Sequence, residues 1–245
     1  MPYQAKGPLT ELPKGHPCED CPVRPITICR RLDAVTLANL RALGTMQRLE
    51  PGQPIFHEGD PVRRVFMLAS GSLKIYTLLA DGRRQITGFM FPGDFLGISI
   101  DDEYAFTAEA LVRSELWWFT RDAFDRFVED NPKVERELYR LAAHELAAAQ
   151  SQMVLLGRKT AAERLASFFL SLIARQELVV GEKQAEFDLP MSRLDIADYL
   201  GLTKETVSRM LAELRNRKFI RLMSQDRVQI IDRAGLQEMA AGFGE

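Results

Sequence analysis

The segment Ser192–Ile220, SRLDIADYLGLTKETVSRMLAELRNRKFI, constrains the fold more than any other part of this chain. Ser192 can cap a helix, with Asp195 three positions on in a capping-box-like place. Ile196, Ala197 and Leu200 fall on one face of that helix, and Gly201 permits a tight turn. Thr203 can cap a second helix whose inner face is Val207, Met210, Leu211 and Leu214. Apolar spacing on both sides of a short glycine turn predicts a helix-turn-helix. An αα-hairpin with no further role has the same spacing, so the outward residues decide the matter. They are Lys204, Glu205, Ser208 and Arg209. Arg can bond guanine O6 and N7, and Glu can accept from cytosine N4. From Thr203 to Arg221 there are six basic residues (Lys204, Arg209, Arg215, Arg217, Lys218, Arg221) against two acidic ones (Glu205, Glu213). Such a patch suits phosphates. Phe219–Ile231 offers two strands around Ser224–Arg227, a wing. The candidate DNA-binding residues are therefore Arg193, Thr203, Lys204, Glu205, Ser208 and Arg209.

Upstream, Asn131-Pro132 reads as a helix start, and the periodic pattern runs to Leu156, with Gly157 as an interruption. Tyr139, Ala142, Leu146, Ala149, Met153 and Leu156 recur in steps of 3 and 4, the spacing of a coiled-coil seam. Val134, Leu138 and Leu141 lie on a neighbouring face. A single buried helix can show the same stripes, but two differing apolar faces favour a homodimer. The seam is rich in Ala and buries little area per turn, so the pairing is expected to be weak. A further helix is expected at Ala161–Ile173, then a polar connection at Gln176–Gln184.

Between Met46 and Trp118, glycines recur at 52, 59, 71, 82 and 93. Short β-prone runs lie between them: Val65–Ala69, Leu73–Leu79 and Gln85–Phe91. That spacing predicts a sandwich or roll, with Asp81-Gly82 as a hairpin turn. A short helix is expected at Ala34–Leu43. The chain therefore reads as α+β, with a cysteine-bearing arm (1–30), a sensor roll (31–130), a dimerisation helix (131–157) and a winged-helix domain (158–245).

All three cysteines, Cys18, Cys21 and Cys29, lie in the arm. An odd, clustered set points to metal or redox chemistry rather than to a disulfide framework. With His16 they make a possible Cys3His zinc set, although His16 and Cys18 are close for one tetrahedral site. Three cysteines without a cofactor are the remaining reading. The three histidines (His16, His57, His144) sit in no catalytic constellation, and no phosphate-binding loop or nucleophile elbow is present, so an enzyme is not expected. No apolar run approaches the roughly 20 residues of a membrane span, and no signal peptide is evident. The cytoplasm is the expected compartment.

LTKETVSRMLAELRNRKFI resembles the recognition unit of the Crp/Fnr regulators. PGQPIFHEGD, LASGSLKIY, DGRRQITGFMFPGDFLG and GRKTAAERLASFFL also resemble that family, in its order and over nearly the whole chain. The resemblance implies a cyclic-nucleotide-binding-type β-roll, a long dimer helix and a C-terminal winged helix. It implies that Glu205, Ser208 and Arg209 read a palindrome with TTGAT-like half-sites, and that RNA polymerase is a partner. Cyclic-nucleotide-binding relatives hold the phosphate with an arginine. Here Gly97 is followed by Ile98, and the matching stretch reads Tyr104-Ala105-Phe106-Thr107. Cys18-x2-Cys21-x7-Cys29 resembles the cysteine group of Fnr-type oxygen sensors, which implies a four-iron–four-sulfur cluster. Those sensors take a fourth cysteine from the roll, where this chain has Trp117. Asp101, Asp102, Glu103, His16, a water or an external thiol are the candidate replacements.

Overall fold

Asp33 begins the first helix. Its carboxylate accepts the Thr36 amide at 2.9 Å, and α1 spans Ala34–Leu43, as predicted. The structure is a computed structural model that describes residues 9–98, 101–180 and 182–242, with the side chains of 178–180 also outside it. Residues 1–8 of the expected arm and residue 181 of the polar connection therefore lie outside the described residues.

Eight strands follow α1: β1 (Thr45–Leu49), β2 (Pro54–Phe56), β3 (Arg64–Ser70), β4 (Leu73–Leu78), β5 (Arg84–Met90), β6 (Phe95–Leu96), β7 (Thr107–Ala110) and β8 (Ser114–Thr120). They form two sheets, ordered β1-β8-β3-β6 and β2-β7-β4-β5, with antiparallel pairing. Alternation explains how one sheet serves two cores. On β3, Phe66 and Leu68 face Leu73, Ala108 and Leu116 in the core between the sheets. Val65 and Met67 point the other way and pack with Phe119, α1 and the cysteine arm. Both faces of β3 are thus buried, which is why its sequence reads as a continuous apolar run.

The rest of the chain is α2 (Arg121–Glu129), α3 (Pro132–Arg158), α4 (Ala161–Val180), β9 (Glu186–Asp188), α5 (Arg193–Leu200), α6 (Lys204–Asn216), β10 (Ile220–Leu222), β11 (Arg227–Ile230) and α7 (Arg233–Ala241). Gly157 does not break α3, which continues to Arg158. The expected polar connection is also shortened, because α4 runs to Val180. β9 pairs with β11 and widens the two-stranded wing to three strands. The sequence reading placed no elements at α2, β9 or α7.

The chain divides into two compact units. Among the described residues, one is 9–83 with 87–144; the other is 84–86 with 145–242. In the first, a core of Val134, Leu141, Phe124, Leu37 and Leu40 seats the helices on the outer face of the β1-β8-β3-β6 sheet. In the second, Leu165, Phe169, Phe187, Ile196, Val207, Leu211 and Leu214 are buried.

Candidate nucleic-acid interface and cysteine cavity

The two helices of the predicted reading unit form where their caps place them. Ser192 Oγ accepts the Asp195 amide at 3.1 Å, and Asp195 accepts the Ser192 amide at 3.1 Å, which closes a capping box. α5 ends at Gly201 with φ 63°, a left-handed conformation that glycine adopts without strain. Thr203 Oγ1 accepts the Thr206 amide at 3.1 Å and starts α6. Val207, Leu211 and Leu214 are buried beneath α6, while Met210 is only half-buried, at the edge of the inner face. On the opposite side Lys204, Glu205 and Arg209 are exposed, as are Thr203 and Arg193. Ser208 is half-buried, and its hydroxyl donates to the Lys204 carbonyl at 2.9 Å, leaving its lone pairs to accept. Glu205 and Arg209 lie four residues apart, hence on one helix face.

Two features of this unit escaped the sequence. Lys218 closes α6 with φ 61°, the only non-glycine residue with positive φ among the described residues. A side chain there costs roughly 1–2 kcal/mol, at a residue the basic patch already includes. Arg164 joins three chain segments. Its Nε donates to the Lys159 carbonyl at 2.9 Å, Nη1 to Leu200 at 2.8 Å and Nη2 to Leu156 at 2.8 Å. The last carbonyls of α3 and α5 are thereby satisfied by one guanidinium, at the negative ends of both helix dipoles. An arginine four residues after Thr160 was the only sequence signal for it.

The cysteine arm folds as irregular and 3-10 turns, including Arg24–Ile26 and Ile28–Arg31. It lies on the outer face of the β1-β8-β3-β6 sheet. Cys18, Cys21 and Cys29 line one cavity together with Arg24, Leu37, Leu40, Arg41, Met67, Trp117 and Phe119. Cys18 and Cys29 are buried, Cys21 is half-buried, and all three are free thiols. The cavity encloses about 30 Å³, room for a water or so. A larger guest requires the arm to give way; short 3-10 turns hold it, with no strand pairing to the sheet among the described residues. Burial pushes the Cys29 thiol up to about 12. Burial and then the neighbouring Cys21 raise Cys18, while Arg41 and Arg24 pull it down.

Trp117 occupies the roll position where the family resemblance implies a fourth thiol. It forms a wall of the cavity, with the Arg41 guanidinium 4.4 Å from its ring centroid. None of the candidate replacements lines the cavity. His16 bonds the Ala34 carbonyl through Nε2 at 2.8 Å and accepts the Cys18 amide at Nδ1, 3.0 Å. Both ring nitrogens are therefore engaged, and the Nδ1 lone pair is spent on the backbone. Asp101, Asp102 and Glu103 are exposed; Asp102 pairs with Arg121 at 3.6 Å, and Glu103 bridges to Pro61. Among the described residues no three thiols, imidazoles or carboxylates converge as they would on a single metal ion.

The arm is tied to α3. Arg31, two residues after Cys29, bonds Glu137 at 2.7 Å, and Glu137 is buried. Arg140 bonds the same carboxylate. Along α3, Tyr139, Ala142, Leu146, Ala149 and Met153 are exposed and Leu156 is half-buried. Tyr139 is 76%, Leu146 63% and Met153 71% exposed, too much apolar surface for one ordinary solvated helix face.

A family model described as the cyclic nucleotide-binding domain matches residues 46–131, and one described as the Crp-like helix-turn-helix domain matches residues 163–239. The nitrogen fixation regulation protein FixK of Bradyrhizobium diazoefficiens is 39% identical over 229 residues, spanning 94% of this chain and 96% of its own. The transcriptional activator protein FnrL of Cereibacter sphaeroides is 35% identical and spans 92% of each. The solved structure of FixK2 from Bradyrhizobium japonicum superposes with a TM-score of 0.75 at 34% identity, covering 80% of this chain and 96% of that one.

Proposed function

The chain belongs to the Crp/Fnr family of DNA-binding transcription regulators, and from that premise we propose that a homodimer reads a palindromic operator under the control of an iron–sulfur cluster on Cys18, Cys21 and Cys29. The half-sites are TTGAT-like, read by Glu205, Ser208 and Arg209 with Arg193, Thr203 and Lys204 beside them. A two-fold dimer places its half-sites about one helical turn apart. The α3 stripe supplies the pairing surface. The names of relatives, FnrL and the anr protein of Pseudomonas aeruginosa among them, support activation, with RNA polymerase as the partner. The cytoplasm is the matching compartment; among the described residues no helix is long and apolar enough to cross a membrane.

The observation that carries the sensor reading is the shared cavity of three thiols with an apolar wall and two arginines. Thiolates are the usual ligands of such clusters. Thiols spread around a cavity suit a group with several iron corners better than one tetrahedral ion. Bound there, the four-iron–four-sulfur group supplies oxygen-sensitive chemistry, and its fourth position falls to a water or an external thiol. The residues of the chain do the rest. The arm holds the thiols against the sheet, and Arg31 passes its position to Glu137 on α3.

Anaerobic purification, an absorption spectrum, and iron and sulfide analysis test this reading. A brown protein that loses both colour and operator affinity in air is the expected result. A colourless, iron-free protein that binds its operator equally well in air overturns the cluster, and zinc in that preparation identifies the group as a structural ion.

A further inference from the structure

Arg24 is a buried cation without an acid. Its side chain is 94% withdrawn from solvent, by a residual exposure of 6%. A guanidinium stays charged at any pH a cell reaches. One nitrogen, Nη2, donates to the Thr10 carbonyl. Nε has no hydrogen-bond partner, and among the described residues no carboxylate pairs with Arg24. Burying a charge in this way is costly unless an opposite charge meets it. Arg41, also on the cavity, is half-buried and stacks on Trp117, so it can reach water. Arg24 cannot. The groups on that cavity able to carry negative charge are the sulfurs of Cys18, Cys21 and Cys29.

We propose that Arg24 is the counter-cation of the cysteine cavity. Its guanidinium neutralises negative charge gathered on Cys18, Cys21 and Cys29, and its Nε–H donates toward that charge. It thereby sets how firmly the thiolates hold an anionic group. The inference rests on the reading that the three cysteines act as one site, which iron and sulfide analysis of the wild type tests separately.

The experiment compares the wild type, Arg24→Gln, which removes the charge, and Arg24→Lys, which keeps it. Where the wild type carries iron and sulfide, each protein is challenged with a chelator under nitrogen and the visible absorbance followed. Arg24→Gln should bleach several-fold faster than the wild type, and Arg24→Lys should stay close to it. Where the wild type is iron-free, the cluster reading fails, and the same proteins are titrated with cadmium, whose thiolate charge-transfer absorbance reports occupancy of the three sulfurs. Arg24→Gln should then bind it several-fold more weakly than the wild type, and Arg24→Lys should stay close to it. Equal rates or affinities for the wild type and Arg24→Gln overturn the proposal in either preparation. So does equal impairment by Gln and Lys, which makes the fork geometry the cause rather than the charge. If circular dichroism shows that Arg24→Gln is unfolded, Arg24→Met takes its place against Arg24→Lys in the same assays.

Discussion

Arg209 stands exposed on α6, and no described residue holds its guanidinium. Its truncation therefore leaves the folded unit intact while removing a base contact worth about 1–3 kcal/mol. Arg209→Ala should keep the wild-type melting temperature and lose most of its preference for a TTGAT palindrome over a scrambled duplex in a gel shift. An unchanged preference would remove Arg209 from the reading head. This residue was legible in the sequence because a helix face is fixed by spacing alone, and Val207, Leu211 and Leu214 define the opposite side. The surroundings of the cysteines were not. Nothing in Gly15-His16-Pro17-Cys18 reveals that both imidazole nitrogens engage the backbone, because Ala34, which takes one of them, is eighteen residues away. Arg24 likewise has no sequence neighbour that marks it as buried. Its burial depends on a sheet face formed some forty to ninety residues later, by Met67 and Trp117.

At the scale of elements, caps and glycines carried most of the information. Ser192 and Thr203 start helices where the sequence placed them, and the helix expected at Ala34–Leu43 starts behind an Asp33 cap that the sequence reading did not name. The failures share a cause. β9 is three residues with no period to detect, and it exists because β11 offers it a partner. α4 outran its expected end because tertiary contacts and a helical phase outlast a polar composition. Gly157 stays helical inside α3, where an added Cβ would meet nothing within 4 Å, so the glycine is tolerated there rather than required. The junction beyond it depends on Arg164. Arg164→Ala frees two helix-terminal carbonyls and one turn carbonyl at once, and should cost about 2–4 kcal/mol in urea unfolding. Arg164→Lys should recover only part of that, because an ammonium cannot reproduce a three-way fork. A loss below about 0.5 kcal/mol, the range of ordinary surface substitutions, would show that the junction is held by packing alone.

For the whole molecule, the exposed stripe of α3, with Tyr139, Leu146 and Met153 each more than 60% exposed, is a cost that a lone chain leaves unexplained. Leu146→Glu should lower the sedimentation coefficient toward that of a single chain and weaken operator binding, while leaving chain stability near wild type, since the position is already exposed. A variant that still sediments as a dimer would place the pairing elsewhere. The stripe has a consequence for abundance. If two chains meet through the alanine-rich α3 seam as weakly as the sequence leads one to expect, they separate when dilute, and the paired form then grows with the square of the copy number. Halving the rate of synthesis then empties about three-quarters of the operators that a scarce regulator fills. Growth and cell division, which dilute every protein alike, would then act on this one twice over.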